Sequence, residues 1–575
     1  MRSPHNRRSA LVLMVSAAFV AAACGAPPPE PATLVVHNGK IVTVEDSQPE
    51  VEAVAIRGDR IVALGSQHEI APYIGGGTKV IDLQGALAIP GFIDSHGHFQ
   101  GTGQAKLGLD LMSVANWDEV VAKVQAAVAQ AKPGEWIVGR GWHQEKWDTV
   151  PEPNVEGFPT HGSIDKVSPD NPVILTHASG HATFANAKAM ELAGVTRATK
   201  DPPGGEILKD AKGDPIGIFR ETASGLVGRA RSAGRAKMTD EDRAAEARRV
   251  IELADRECLE NGVTTFHDAG VSFETVDLYK RVAEEGKLGV RLYVMVREGP
   301  ARLAENLARY KTIGFADNHV TVRAIKVSID GALGPRGAWL LEPYTDLPSS
   351  TGLNTTPVET LRAIAKLAVT HGYQLCVHCI GDRANREMLN VYEEALAANP
   401  AFTDHRWRDE HTQHLHPDDI ARFGRLGVIA AMQGIHCTSD APYVLARLGE
   451  RRAEEGAYVW QKLMKTGAVI SNGTDVPVED ISPIASYYAT VSRRLKDGTV
   501  FFADQRMSRM EALKSYTING AFAAFEEDLK GSLKVGKLAD MTVLSKDILT
   551  VPEEEIPSTE ILYTVVGGKV MYERK

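Results

Sequence analysis

The sequence predicts an α/β protein: a (β/α)8 TIM barrel with a large insertion after its first strand, plus a small β-domain built from both termini. Three observations point there. Eight short apolar segments alternate with helical patterns through the middle of the chain. Both ends are strand-like. Residues 100–254 then separate the first barrel strand from the second.

The elements follow in chain order. Arg2, Arg7 and Arg8 open the chain, and no acid precedes Glu30. The apolar run 11–23, broken by Ser16, is too short for a membrane span of about 20 residues but has the length of a secretory core. Residues 1–23 therefore read as a signal peptide. Ala21, Ala22 and Ala23 precede Cys24 and admit two readings. One is a bacterial lipobox, with a diacylglyceryl group on Cys24 anchoring a lipoprotein to a membrane surface facing the periplasm. The other is an ordinary Ala-x-Ala cleavage that releases a periplasmic or secreted protein. Both imply export. Pro27, Pro28, Pro29 and Pro31 make residues 24–32 a stiff tether.

Residues 33–88 and 527–575 form the expected composite β-domain. "TLVVHNGKIVTV" alternates around an expected Asn38-Gly39 turn, and "AVAIRGDRIVALG" around Gly58-Asp59. "ADMTVLS" and "ILYTVVGGKVMYE" repeat the texture at the other end. The barrel is expected over residues 89–526. Its strands read as "LAIPGFIDSHGH", "GVTTFHDAG", "VRLYVMVR", "TVRAIKVSIDG", "YQLCVHCIGD", "RDEHTQHL", "GVIAAMQ" and "GAVISNGTD". Residues 361–370 and 418–426 are among the intervening helices, and the insertion carries its own, starting at Trp117.

Composition narrows the function. Of 575 residues, 43% are apolar and 24% charged, which excludes disorder over most of the length. The charge balance is 64 − 74 = −10, so no nucleic-acid partner is expected. Five cysteines are too few for a disulfide scaffold.

His96 and His98 end the first predicted strand, and i and i+2 share a strand face. Lys326, His378, His411 and Asp475 end the fourth, fifth, sixth and eighth strands. Barrel active sites assemble at these strand ends. An isolated His-x-His is a weak signal; the joint placement is what carries weight.

The motifs "IPGFIDSHGHF", "KVSIDGALG", "VHCIGDRA", "RDEHTQHL" and "SNGTDVPV" resemble the metal-binding signatures of the amidohydrolase superfamily. "GRGWHQEKW", "PVILTHASGHATFANAKAM" and "GSLKVGKLADMTVL" resemble its YtcJ-like, or amidohydrolase-3, branch, which includes N-substituted formamide deformylases and AepA-like proteins. The resemblance implies one or two divalent ions, with zinc expected: His96, His98 and Asp475 would bind one, and His378 and His411 a second. Lys326, carboxylated to a carbamate, would bridge them. A metal-activated hydroxide would attack an amide, formamide or cyclic amide, and Asp475 would carry its proton to the leaving nitrogen.

Departures from the family pattern are Thr474, where Ser is frequent, and Asp409, where an apolar residue is common. His181, Gln433 and His436 are the candidate substrate-binding residues. His267 is the further candidate for the pocket, and Asp382 with Arg383 for a supporting ion pair. Cys376 could crowd the site or pack inertly, and Trp142 could wall the pocket or pack. Hydrolysis of a small-molecule amide competes with a second reading, a non-catalytic or regulatory surface lipoprotein on the same scaffold. An adenosine-type deaminase is disfavoured, because no Glu follows His378.

Overall fold

The computed structural model describes residues 29–235 and 238–575. The expected signal peptide, Cys24, Pro27 and Pro28 lie outside the described residues. Among the described residues, no helix is long and apolar enough to cross a membrane.

The expected barrel strands are present: β1 (Phe92–Gly97), β2 (Val263–Val271), β3 (Arg291–Val296), β4 (Val320–Ser328), β5 (Gln374–Cys379), β6 (Arg408–His411), β7 (Ile429–Met432) and β8 (Ile470–Asn472). They pair in parallel in this order from β1 to β8. Nearly every strand residue is buried, as expected of a parallel sheet covered by helices. No ladder joins β8 to β1; Asp475 N–H donates to His96 O across that gap (2.8 Å).

Helix Pro417–Leu426 shows why the local sequence folds this way. Proline starts it, Asp418 and Asp419 face its positive end, and Gly427 ends it in the left-handed region (φ 67°). Helix Val358–His371 stops likewise at Gly372 (φ 65°).

Strands from both termini share one sheet. Leu87–Pro90 pairs with Met541–Leu544 and runs through Gly91 into β1. The Gly58-Asp59 hairpin forms, with Arg57 opposite Arg60. Gly567 and Gly568 turn the last hairpin, both at positive φ. The expected turn at Asn38-Gly39 does not form. Leu34–Val42 is one strand with a register irregularity between His37 and Ile41, and Asn38 takes φ 62°. A bulge satisfies the Asn-Gly pair here as well as a turn would.

The insertion builds its own sheet, in the order Gly205–Lys209, Pro215–Glu221, Ala182–Ala185, Val173–His177, Ile137–Trp142 and Leu109–Asp110. Helix Asp240–Glu260 departs from the expected boundary at residue 254. It buries Ile251, Ala254 and Cys258 in the barrel's main apolar cluster, so the barrel resumes earlier.

Candidate metal centre

Strand ends aim four of the expected donors at one place. Gly97, between His96 and His98, allows β1 to approach β2: a Cβ there would meet Phe266 Cζ at 2.4 Å. His411 and Asp475 both sit in the left-handed region, at φ 83° and 58°. Such backbone costs about 1–3 kcal/mol for a non-glycine residue and recurs at functional sites. It turns both side chains inward.

The tightest donor set is His96, His411 and Asp475, whose ligand atoms lie within 4.8 Å of one another. Asp475 Oδ1 is 3.6 Å from His96 Nε2 and 3.2 Å from His98 Nε2. His411 lies between His96 and His378, with ring centroids 4.5 and 4.4 Å away. His96 and His411, which the resemblance assigned to separate ions, thus lie side by side around Asp475.

Hydrogen bonds set the imidazoles. His96 Nδ1–H donates to Glu410, leaving Nε2 without a protein partner. His411 Nδ1–H donates to Gln433 Oε1 (2.8 Å). His378 Nε2 is also unpartnered, 3.6 Å from Asp330 Oδ1. Burial holds His96 and His378 well below the usual imidazole range and lowers His411 to about 3. All three are neutral, with a lone pair free for a cation. Burial works against charge on Asp475, but the adjacent His98, His96 and His411 hold it well below the usual carboxylate range. Burial lowers the Lys326 amine to about 8, against the pull of Glu410 and Asp475. Neutral imidazoles, one carboxylate and orphaned buried ligand atoms fit a divalent ion.

Several residues behind the donors were not foreseen. Glu410 is fully buried and holds His96 while facing Arg408, whose Nε lies 2.6 Å from Oε1. Asp94 accepts from Thr474 Oγ1 (2.5 Å) and from the backbone of His96 (3.2 Å), and burial raises it to about 7. Glu221, from the insertion, accepts from His181 Nδ1 (2.7 Å). Despite burial, Glu221 keeps His181 above its ordinary value.

Two cavities open on the centre, one of about 450 Å³ and one of about 40 Å³. His181, His378, His411 and Asp475 line both. His436 lines the smaller; Gln413 Nε2 donates to its Nδ1 (3.0 Å), so its Nε2 carries the proton. Gln433 lines neither cavity. It stands behind His411 and orients it, which corrects its expected place against the substrate. His267 also misses the pocket; its Nδ1 accepts from Arg408 Nη1 (3.0 Å) inside the barrel. Asp382 and Arg383 form no ion pair. Asp382 caps the Leu341 N–H, and Arg383 reaches Glu387 instead (3.0 Å). Cys376 packs in an inner apolar cluster and Trp142 in the insertion core. Burial keeps Asp409 neutral, which lets an acid occupy an apolar site.

The sequence profile described as the Amidohydrolase family matches residues 79–572. The chain belongs to this family. It is 34% identical to Protein LONG AFTER FAR-RED 3 of Arabidopsis thaliana, over 94% of the chain and 92% of that protein. Identity is 30% to the putative amidohydrolase YtcJ of Bacillus subtilis, over 94% of this chain and 99% of that one. It is 28% to an N-substituted formamide deformylase of Arthrobacter pascens, covering 94% and 98%. A solved structure of an uncharacterized metal-dependent hydrolase from Pyrococcus horikoshii superposes with a TM-score of 0.70 at 27% identity, covering 91% of this chain and 99% of that one.

Proposed function

We propose that this amidohydrolase-family chain is a metal-dependent hydrolase of a carbon–nitrogen bond in a small molecule: an amide, a formamide or a cyclic amide. The observation that carries the reading is the convergence of unpartnered His96, His378 and Asp475 atoms beside His411, at the mouth of a cavity. The named activity of the deformylase relative supports the substrate class.

His96, His98 and Asp475 would hold one divalent ion, zinc by the character of the donors, and His378 and His411 a second where two bind. Lys326, as a carbamate, would add an anionic ligand to that metal; an amine lowered to about 8 has a reactive neutral fraction near neutral pH. A metal held by these residues would supply Lewis acidity to a carbonyl and lower the pKa of water towards about 7. Asp475, ionised and facing both cavities, accepts a proton and delivers it to the leaving nitrogen. His436 Nε2–H and His181 donate hydrogen bonds to the substrate, and Gln433 and Glu410 hold the ligand rings in their tautomers. The chain is exported and anchored to a membrane surface through Cys24.

Metal analysis and an assay panel of N-formyl and N-acyl amines test the reading. Purified protein should carry about two divalent ions, and Lys326→Ala should lose at least one together with most activity. Retention of both ions would reject the bridging carbamate. Absence of metal-dependent turnover across the panel would reject the hydrolase.

A further inference from the structure

The two cavities differ in what they offer a substrate. The smaller holds only a few heavy atoms, since one water needs about 10–15 Å³ of such space, and Leu333, Pro335 and Ile380 are in its wall. The larger is lined by two guanidiniums, Arg140 on the insertion strand Ile137–Trp142 and Arg297 directly after β3. Arg140 donates Nε–H to Pro477 O (3.1 Å) and Nη2–H to Ala178 O (2.9 Å), both uncharged acceptors. Arg297 donates Nη2–H to Ser328 Oγ (3.0 Å). Among the described residues neither has a carboxylate partner, and each keeps donors free.

Three of that cavity's four acids are held by other groups. Glu221 holds His181. Asp268 accepts from Tyr279 Oη (2.7 Å) and the Phe99 N–H (3.1 Å). Asp330 accepts from the backbone of Trp339, Ile380 and Gly381 (2.8–3.1 Å). Asp475, the fourth acid, belongs to the donor set itself, so two guanidinium forks face the cavity with N–H donors that no carboxylate takes, beside the reactive donors. A guanidinium fork matches a carboxylate in shape and charge.

We propose that the larger half of the substrate carries a carboxylate, as in an N-acyl amino acid, and that Arg140 and Arg297 bind it. The smaller half occupies the smaller cavity. This rests on the hydrolase reading for the bond that is cut, but the subsite can be tested by binding alone.

The test uses matched pairs: N-acetyl derivatives of glycine, leucine and phenylalanine against the same amides lacking the carboxylate. Binding to the zinc-loaded full chain is measured by calorimetry, and turnover by amine release. The carboxylates should bind at least about tenfold more tightly. Arg297→Gln and Arg140→Gln should each weaken them about 10- to 100-fold, as for a lost charged hydrogen bond, and leave the neutral amides unchanged. Arg297→Lys should recover part, keeping the charge without the fork. No difference within the pairs, binding of neither member included, overturns the subsite. So do variants that weaken both members equally, which would mark the arginines as structural. Hydrolysis of both members at equal kcat/KM sinks the subsite and leaves the hydrolase. Selective binding of carboxylates without turnover of any member leaves the subsite and sinks the hydrolase.

Discussion

Glu410→Gln should weaken the centre without touching a ligand. The carboxylate is fully buried between Arg408, whose Nε and Nη2 lie 2.6 and 3.0 Å from its oxygens, and His96. The substitution keeps the volume and one acceptor oxygen but strips a buried guanidinium of its counter-charge. Removing one partner of such a pair costs about 3–5 kcal/mol. Arg408 retains His267 Nδ1 (3.0 Å) and Ser95 O (2.5 Å), so the lower end, about 3 kcal/mol, is expected for the chelated protein. His96 also loses a charged acceptor. Loss of such an outer partner lowers metal affinity about 10- to 100-fold, or about 1.4–2.7 kcal/mol. Zinc competition against a chromophoric chelator reads the second effect, and urea unfolding of the chelated protein reads the first. Arg408→Met combined with Glu410→Gln should recover stability, because both charges leave together. It should not recover zinc affinity. Wild-type zinc affinity in Glu410→Gln, or its return in the double variant, would refute the reasoning.

Gly331→Ala should lower kcat/KM about 10- to 100-fold, because a Cβ there would stand 1.9 Å from Glu221 Oε1 and expel the acid that holds His181; unchanged kinetics would show that the pair is dispensable. Asp255 tests pH dependence away from the centre. Burial raises it from 3.8 to about 6, and its Oδ1 accepts from Gly289 and Val290 (2.9 and 2.8 Å). A raised acid contributes fully below about pH 4 and loses that contribution as pH climbs through about 6. Asp255→Asn keeps the acceptor and does not titrate. The stability gap, wild type minus variant, should therefore fall by about 1–3 kcal/mol between about pH 4 and pH 7; parallel pH curves would contradict this. Cys24→Ala should move the protein from the membrane fraction to the soluble one, and unchanged fractionation would remove the lipid anchor.

The barrel was legible because each strand is a short, doubly buried apolar run such as "RLYVMV" or "VTVRAIKVS", and because donors fall where those runs stop. The hairpins at Gly58-Asp59 and Gly567-Gly568 were legible because two consecutive turn residues admit few other structures. Asn38-Gly39 carries the same local signal, yet neighbouring strands on both sides hold it in one bulged strand. Local chemistry could not decide that. Glu410 and Glu221 escaped for a different reason. Their partners His96 and His181 lie 314 and 40 residues away, and no spacing rule links them. His267 has the periodicity of a pocket residue, but the buried Arg408 side chain fills the barrel in front of it. Gln433 stands directly after a strand like a substrate contact, and only its 2.8 Å bond to His411 reveals its task.

The missing ladder between β8 and β1 has a mechanical consequence. His96 on one margin and Asp475 on the other are both in the tightest donor set, so a bound ion would rivet a seam that isolated backbone hydrogen bonds cross but no ladder closes. Chelation would then do more than disarm the enzyme. Amides from Asp94 to His98 and from Gly473 to Val476 would exchange faster, while the middle strands kept their protection.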